Sequence, residues 1–216
     1  VVGSLVSLAA KPDIFKAAWR TITGKKEQGT DVLSHVELPL WMSWVGVPLF
    51  SALGGWITHE FFGVPWLLAF VSLPLIFVLT IIATNSMALT SWTPTGSLSK
   101  ITQFTMGAID RTNPASNLIP AGMTAEIAGN AANLLSDIKP GYMLGGKPRH
   151  QAVGHVLGII AGALVSVPVF YLVFMRNGPA NLVTDQYPMP GATIWKAVAE
   201  VLTKGLSNLE VSARWM

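Results

Sequence analysis

The sequence predicts an all-α fold, a polytopic transmembrane helical bundle interrupted by one broken or re-entrant segment. Three observations predict it. Hydrophobic residues make up 51% of the chain and charged residues only 12%, with a mean hydropathy of +0.50, whereas an average soluble domain is about one quarter charged. The apolar residues fall in long charge-free runs of bilayer-spanning length. Between these runs lies a stretch, 85–112, that is rich in Ser, Thr, Asn and Gln and broken by Pro94 and Gly96. Non-helical backbone at membrane depth is tolerated only where protein buries it or water reaches it, so a break there points to a binding site. An extramembrane loop with one short helix is the plainer alternative.

Composition also excludes function classes. The formal net charge of +3 and a pI near 9.3 do not indicate nucleic acid, because the basic residues flank apolar runs and form no basic-aromatic surface. Cysteine is absent, which removes disulfides, thiolate zinc clusters and redox dithiols. No cofactor, metal centre or catalytic residue is expected: GxSxG and HExxH are missing, and no two Asp residues occupy separate spans. Gly141 to Lys147 has the GxxxxGK frame of a phosphate loop, but Pro148 stands where Ser or Thr would hold magnesium.

In chain order, Val1 to Ala10 is apolar but about half the length of a span. It reads as the end of a helix rather than a signal peptide, since no basic leader precedes it. The loop 11–35 carries Lys11, Lys16, Arg20, Lys25 and Lys26, which assigns it to the cytoplasmic side by the positive-inside rule. Ile14, Phe15, Ala18, Trp19 and Ile22 recur there at helical spacing, suiting either an interfacial amphipathic helix or a solvated connector. A first span is expected at 38–57, with Trp41, Trp44 and Trp56 near its ends at headgroup level. His59 and Glu60, like His35 and Glu37, lack a third ligand nearby and read as interfacial turns. A second span covers 64–84 and contains Pro74, which kinks a helix when neighbours resatisfy the freed carbonyl. Further spans are expected at 117–138 and 152–174, joined by a second basic, cytoplasmic loop at 139–150. Gly154, Gly158 and Gly162 form a small-residue strip suited to helix packing, and His155 beside them is either a packing residue or a proton carrier. Beyond Arg176 a proline-bearing extracytoplasmic loop leads to a segment near Trp195, where Ile194, Val198, Val201 and Leu202 repeat with helical period.

Chemistry concentrates in the third of these spans, 117–138. Glu126, Asn130, Asn133 and Asp137 stand at offsets of about 0, 4, 7 and 11, within roughly 60° of one helix face. An ionisable residue inside a bilayer is a functional candidate because it costs about 2.5 kcal/mol or more at mid-membrane. Apolar neighbours would favour the neutral form of Glu126, fitting it to take up and release a proton. Asn117, Asn130, Asn133 and Tyr142 are candidate ligand contacts, with helix-to-helix hydrogen bonding as the alternative for the amides. Asp137 and Lys139, near the helix end, are expected in a mutual or interhelical salt bridge.

The stretch NPASNLIPAGMTAEIAGNAANLLSDIKPGYMLGGKPRHQAVGHVLG resembles the oligopeptide transporter family, which includes the yellow-stripe-like metal-chelate carriers. The resemblance rests on Asp137, Ile138, Lys139, Gly141 and Tyr142, followed by Arg149 before the next span, and extends to the basic loop near the start and to QYPMPGATIWKAVAEVL. It implies that the chain is an internal portion of a polytopic carrier. It further implies a multi-pass protein of the cell membrane, taking up small peptides or metal chelates by alternating access with the proton as coupling ion. Its partners would be the lipid bilayer and the rest of the transporter or another copy. The competing expectation is a non-transporting membrane subunit whose polar stripe only packs helices.

Overall fold

The computed structural model describes residue 13 and residues 38–176, 178–179 and 182–205. The expectations for 1–10 and for the basic amphipathic loop lie outside these residues apart from Asp13, as do His35 and Glu37. Among the described residues every regular element is a helix: α1 Leu40–Phe62, α2 Trp66–Thr90, α3 Thr95–Ile109, α4 Pro114–Met143, α5 Pro148–Val173 and α6 Pro190–Lys204. Of these, α2 and α5 are long and apolar enough to cross a membrane by the strictest criterion of length and composition.

The corner between α1 and α2 is set by Gly63, whose φ of 65° is the left-handed conformation that lets its amide turn back onto the His59 carbonyl. His59 Nδ1 donates to the Val64 carbonyl at 2.9 Å while its ring lies 4.6 Å from that of Trp66. The histidine is thereby committed to the turn. The Asn113 side chain caps α4 by accepting from the Ala115 amide, and its Nδ2 donates to the Gly63 carbonyl at 3.2 Å. One asparagine therefore ties the α1–α2 corner to the start of α4.

Helix α3 is the organising irregularity. Its 15 residues span about 22 Å, short of the roughly 30 Å hydrocarbon thickness. It packs between α2, α4 and α6. Two apolar layers hold it. Near the α1–α2 corner Met106 meets Val64 and Leu68, and further along Leu98 meets Leu79, Ile82, Ala83 and Ala128. The segment 85–112 thus resolves into the last turns of α2, a tight turn at Ser91–Pro94 and a half-length helix.

Two boundaries differ from expectation. Helix α4 begins at Pro114, where proline lacks the amide hydrogen that a first turn cannot use, and it continues to Met143. Pro140 sits so close to the end that it removes one hydrogen bond without breaking the element. The loop expected at 139–150 therefore contracts to Leu144–Lys147. Helix α5 touches the rest through its first two turns, where Ala152 is buried, and is exposed from Val156 onward.

Candidate functional site

Along the α3–α4 contact the bundle buries polar groups. Ser99, Thr102, Gln103, Asn117 and Thr124 are wholly buried. Ser99 donates to the Gly96 carbonyl in its own helix. Thr102 and Thr124 meet across the helices at 2.8 Å. Because the Thr124 hydroxyl donates to the Pro120 carbonyl at 2.8 Å, its single proton is committed, and Thr102 is the donor of the cross-helix bond. Gln103 Nε2 donates to Asn117 Oδ1 at 3.4 Å and to the main-chain carbonyl of Trp195 at 3.2 Å. Its Oε1 accepts from Lys100 Nζ at 2.8 Å, and that ammonium lies 3.9 Å from the centre of the Trp195 ring. Asn117 Nδ2 has no hydrogen-bond partner.

Helix α6 closes this seam because Gly107 gives it room. A Cβ at Gly107 would come within 2.8 Å of Leu202 Cδ1 and 3.1 Å of Leu202 Cβ, so only glycine allows the approach that brings Trp195 onto Gln103. At the other end of α3, the Ser86 hydroxyl donates to the Trp92 carbonyl at 3.1 Å and the Thr90 hydroxyl to the Ser86 carbonyl at 2.8 Å, and Ser86, Thr90, Trp92, Thr93, Thr95 and Ser97 line a cavity of about 620 Å³. The hydroxyls replace hydrogen bonds that the break between α2 and α3 takes from the backbone. In the loop before α4, Asp110 accepts from the Thr112 amide at 2.8 Å and from its hydroxyl at 2.6 Å. The Ser116 hydroxyl, near the carboxyl though outside hydrogen-bond geometry, and then these Thr112 groups, which do bond to it, hold Asp110 below its ordinary value of 3.8.

The residues singled out from sequence separate into two groups. Asn117 is inside the seam. Glu126, Asn130, Asn133 and Asp137 are on the opposite face of α4, where Glu126, Asn133 and Asp137 are exposed and Asn130 is half-buried. The burial expected around Glu126 is not supplied by these helices. Asn130 donates to the Glu126 main-chain carbonyl at 2.9 Å, within its own helix. Tyr142 is half exposed in the last turn of α4. Asp137 and Lys139 form no mutual bridge, because α4 continues through both and residues two apart point to opposite sides of a helix. Asp137 instead faces His155 of α5, Oδ2 to Nδ1 at 3.6 Å. His155 Nε2 and Gln151 Oε1, one turn apart in α5, are buried without partners. Among the described residues no group of three or more His, Cys, Asp and Glu side chains is placed to hold a metal ion.

Lys100, Thr102, Gln103, Thr124 and Trp195 were not apparent as site residues from sequence. The signal was present as the 99, 102, 103, 106, 107 spacing, a helical face whose members are polar or small except for Met106.

The sequence profile described as "OPT oligopeptide transporter protein" matches residues 6–216. The chain is 28% identical over 215 residues to the "Probable metal-nicotianamine transporter YSL8" of Arabidopsis thaliana, covering 96% of this chain and 30% of that protein. It is 24% identical over 184 residues to the "Probable metal-nicotianamine transporter YSL10" of Oryza sativa subsp. japonica, covering 83% of this chain and 27% of that protein. No solved structure matches the chain significantly. The chain thus spans under a third of the length of these relatives. The chain belongs to the OPT oligopeptide transporter family, whose members are integral membrane transporters and not enzymes.

Proposed function

We propose that this chain is part of a secondary active transporter that takes up small peptides or metal chelates across the cell membrane in exchange for inward proton flow. The observation that carries the reading is a helix too short to span, α3, whose Ser99, Thr102 and Gln103 are wholly buried and which faces an unpartnered, buried amide on Asn117 of α4. Broken helices with buried polar groups at membrane depth are where secondary transporters bind substrate. The names of the similar proteins favour metal–nicotianamine complexes, and the family description favours peptides. In this reading Asn117 contacts substrate inside the seam. Glu126 carries the coupling proton on the outer face of α4, where Asn130, Asn133 and Tyr142 contribute further ligand contacts and the rest of the transporter or another copy covers them.

The test is uptake by the whole protein reconstituted in liposomes, comparing tripeptides with metal–nicotianamine complexes under an imposed pH gradient. Accumulation that follows the gradient is expected, and Glu126→Gln is expected to abolish it while leaving substrate exchange intact. A second reading, a non-transporting subunit, is favoured by the hydrogen bond between Thr102 and Thr124, which joins helices without needing a ligand. It requires no uptake of any substrate, and Glu126→Gln would then alter assembly or nothing.

A further inference from the structure

Resting on the transport reading, we propose that Lys100, Gln103 and Asn117 together bind a carboxylate group of the substrate, and that the Trp195 main-chain carbonyl occupies the carboxylate's place when substrate is absent. The argument is a count of donors against acceptors. Gln103 bonds directly to all three of its neighbours: Lys100 Nζ at 2.8 Å, Asn117 Oδ1 at 3.4 Å and the Trp195 carbonyl at 3.2 Å. Three donor groups therefore gather around one amide: the Lys100 ammonium, Gln103 Nε2 and Asn117 Nδ2.

Against them the protein sets little. Gln103 Oε1 takes one ammonium hydrogen, and the Trp195 ring gives the ammonium a π face. The Trp195 carbonyl takes one amide hydrogen, and Asn117 Nδ2, wholly buried, has no acceptor. No carboxylate of the described residues makes an ion pair with Lys100; the acidic residues of α4, beginning at Glu126, lie on the opposite face of that helix. A wholly buried amide donor without an acceptor, beside a half-buried ammonium, is unfavourable alone and becomes favourable when an anionic, two-oxygen acceptor enters. A carboxylate satisfies the ammonium with one oxygen and the amides with the other. A neutral carbonyl, the group Trp195 supplies, leaves the charge uncompensated.

Trp195 also explains how the seam is closed without ligand. It holds both ends of the donor set, the ring over Lys100 and the carbonyl on Gln103, from a helix that also packs Leu202 closely over Gly107 of α3. Substrate entry then requires α6 to yield one hydrogen bond and one cation–π contact, which the carboxylate replaces with charged hydrogen bonds.

The experiment uses the whole protein in liposomes with paired probes: trialanine against trialanine amide, and nickel–nicotianamine against nickel–triethylenetetramine, a chelate without carboxylates. The expected result is a preference of roughly tenfold or more in KM for the carboxylate member of the transported pair, the range a charged hydrogen bond provides. Lys100→Gln should erase that preference by raising the KM of the acid without changing that of its neutral counterpart, Lys100→Arg should restore most of it, and Asn117→Asp should reverse it. Should Lys100→Gln fail to fold, the Asn117→Asp variant carries the same test. Equal transport of both members by the wild type, or an equal effect of the substitutions on both, overturns the carboxylate site and leaves the transporter reading standing. Transport of none of the four probes overturns both.

Discussion

The hydrogen bond between Thr102 and Thr124 predicts an asymmetry that a symmetric pair of threonines would not show. Thr124 has already committed its proton to Pro120, so the 2.8 Å contact uses the Thr102 proton and a Thr124 lone pair. Thr124→Val strands a wholly buried hydroxyl donor on Thr102, a loss of about 1–3 kcal/mol. Thr102→Val removes the donor and leaves on Thr124 only a lone pair of a hydroxyl that is still bonded, which costs about 0.5–1 kcal/mol. The double variant, apolar on both sides, should be no less stable than Thr124→Val alone, giving a favourable coupling of about 1 kcal/mol between the two substitutions. Denaturant titration of the whole protein in detergent micelles measures all three. Equal losses for the two single variants, or a larger loss for Thr102→Val, would refute the assignment of donor and acceptor.

Two further outcomes follow from the same packing. Gly107→Ala forces a Cβ against Leu202 and should destabilise the α3–α6 contact by about 1–3 kcal/mol. Adding Leu202→Ala should return at least half of that loss, measured by the same titration, with simple additivity as the contrary result. Asp110 has a depressed carboxyl pKa, so its stabilising contribution is present above about pH 4 and is lost as pH falls through the lower, folded-state value. The melting temperatures of wild type and Asp110→Asn should accordingly differ at neutral pH, and the gap should narrow as pH falls below about 4; a gap that stays constant under acidification contradicts the sign.

How much of this was legible in the chain depends on which solvent each face was read against. The runs 64–84 and 152–174 needed no such choice, being apolar on every side, and they became α2 and α5. Helix α3 did need it. Ile101, Phe104 and Ile109 look like a core stripe in aqueous terms, yet Phe104 is 54% and Ile109 56% exposed while Thr102 and Gln103 are 0%. The packed face of α3 is mixed, with Leu98 and Met106 buried beside the polar residues, so hydrophobicity alone does not separate the residues that pack from those that face outward. Helix α4 raised the same difficulty in another form. Its 126, 130, 133, 137 stripe is conspicuous because it carries charge, whereas the face that the bundle buries is marked only by Asn117 and Thr124 among small residues. The basic residues from Lys139 onward set the expected end of the span at 138, yet α4 continues through Lys139 and Pro140 to Met143, since a proline in the final turn removes a bond that the helix barely uses.

These two faces of α4 lead to one more test. Asn117 and Glu126 are nine positions apart, about 180° around the helix, so α4 is polar on both sides. The inner side is packed against α3, but a carboxylate and amides on the outer side are too costly to leave in hydrocarbon. Either water or protein must cover them, and the two alternatives differ in accessibility. The chain contains no cysteine, so Asn133→Cys introduces a single thiol on that face without touching Glu126. In a background free of other reactive thiols, the transport reading expects labelling by a membrane-impermeant methanethiosulfonate, slowed when a transported substrate is present. A thiol that reacts only with a lipid-soluble maleimide would place the stripe against the bilayer. One that reacts only after denaturation would place it in a dry contact between helices, and in both cases Glu126 has no aqueous route by which to exchange its proton.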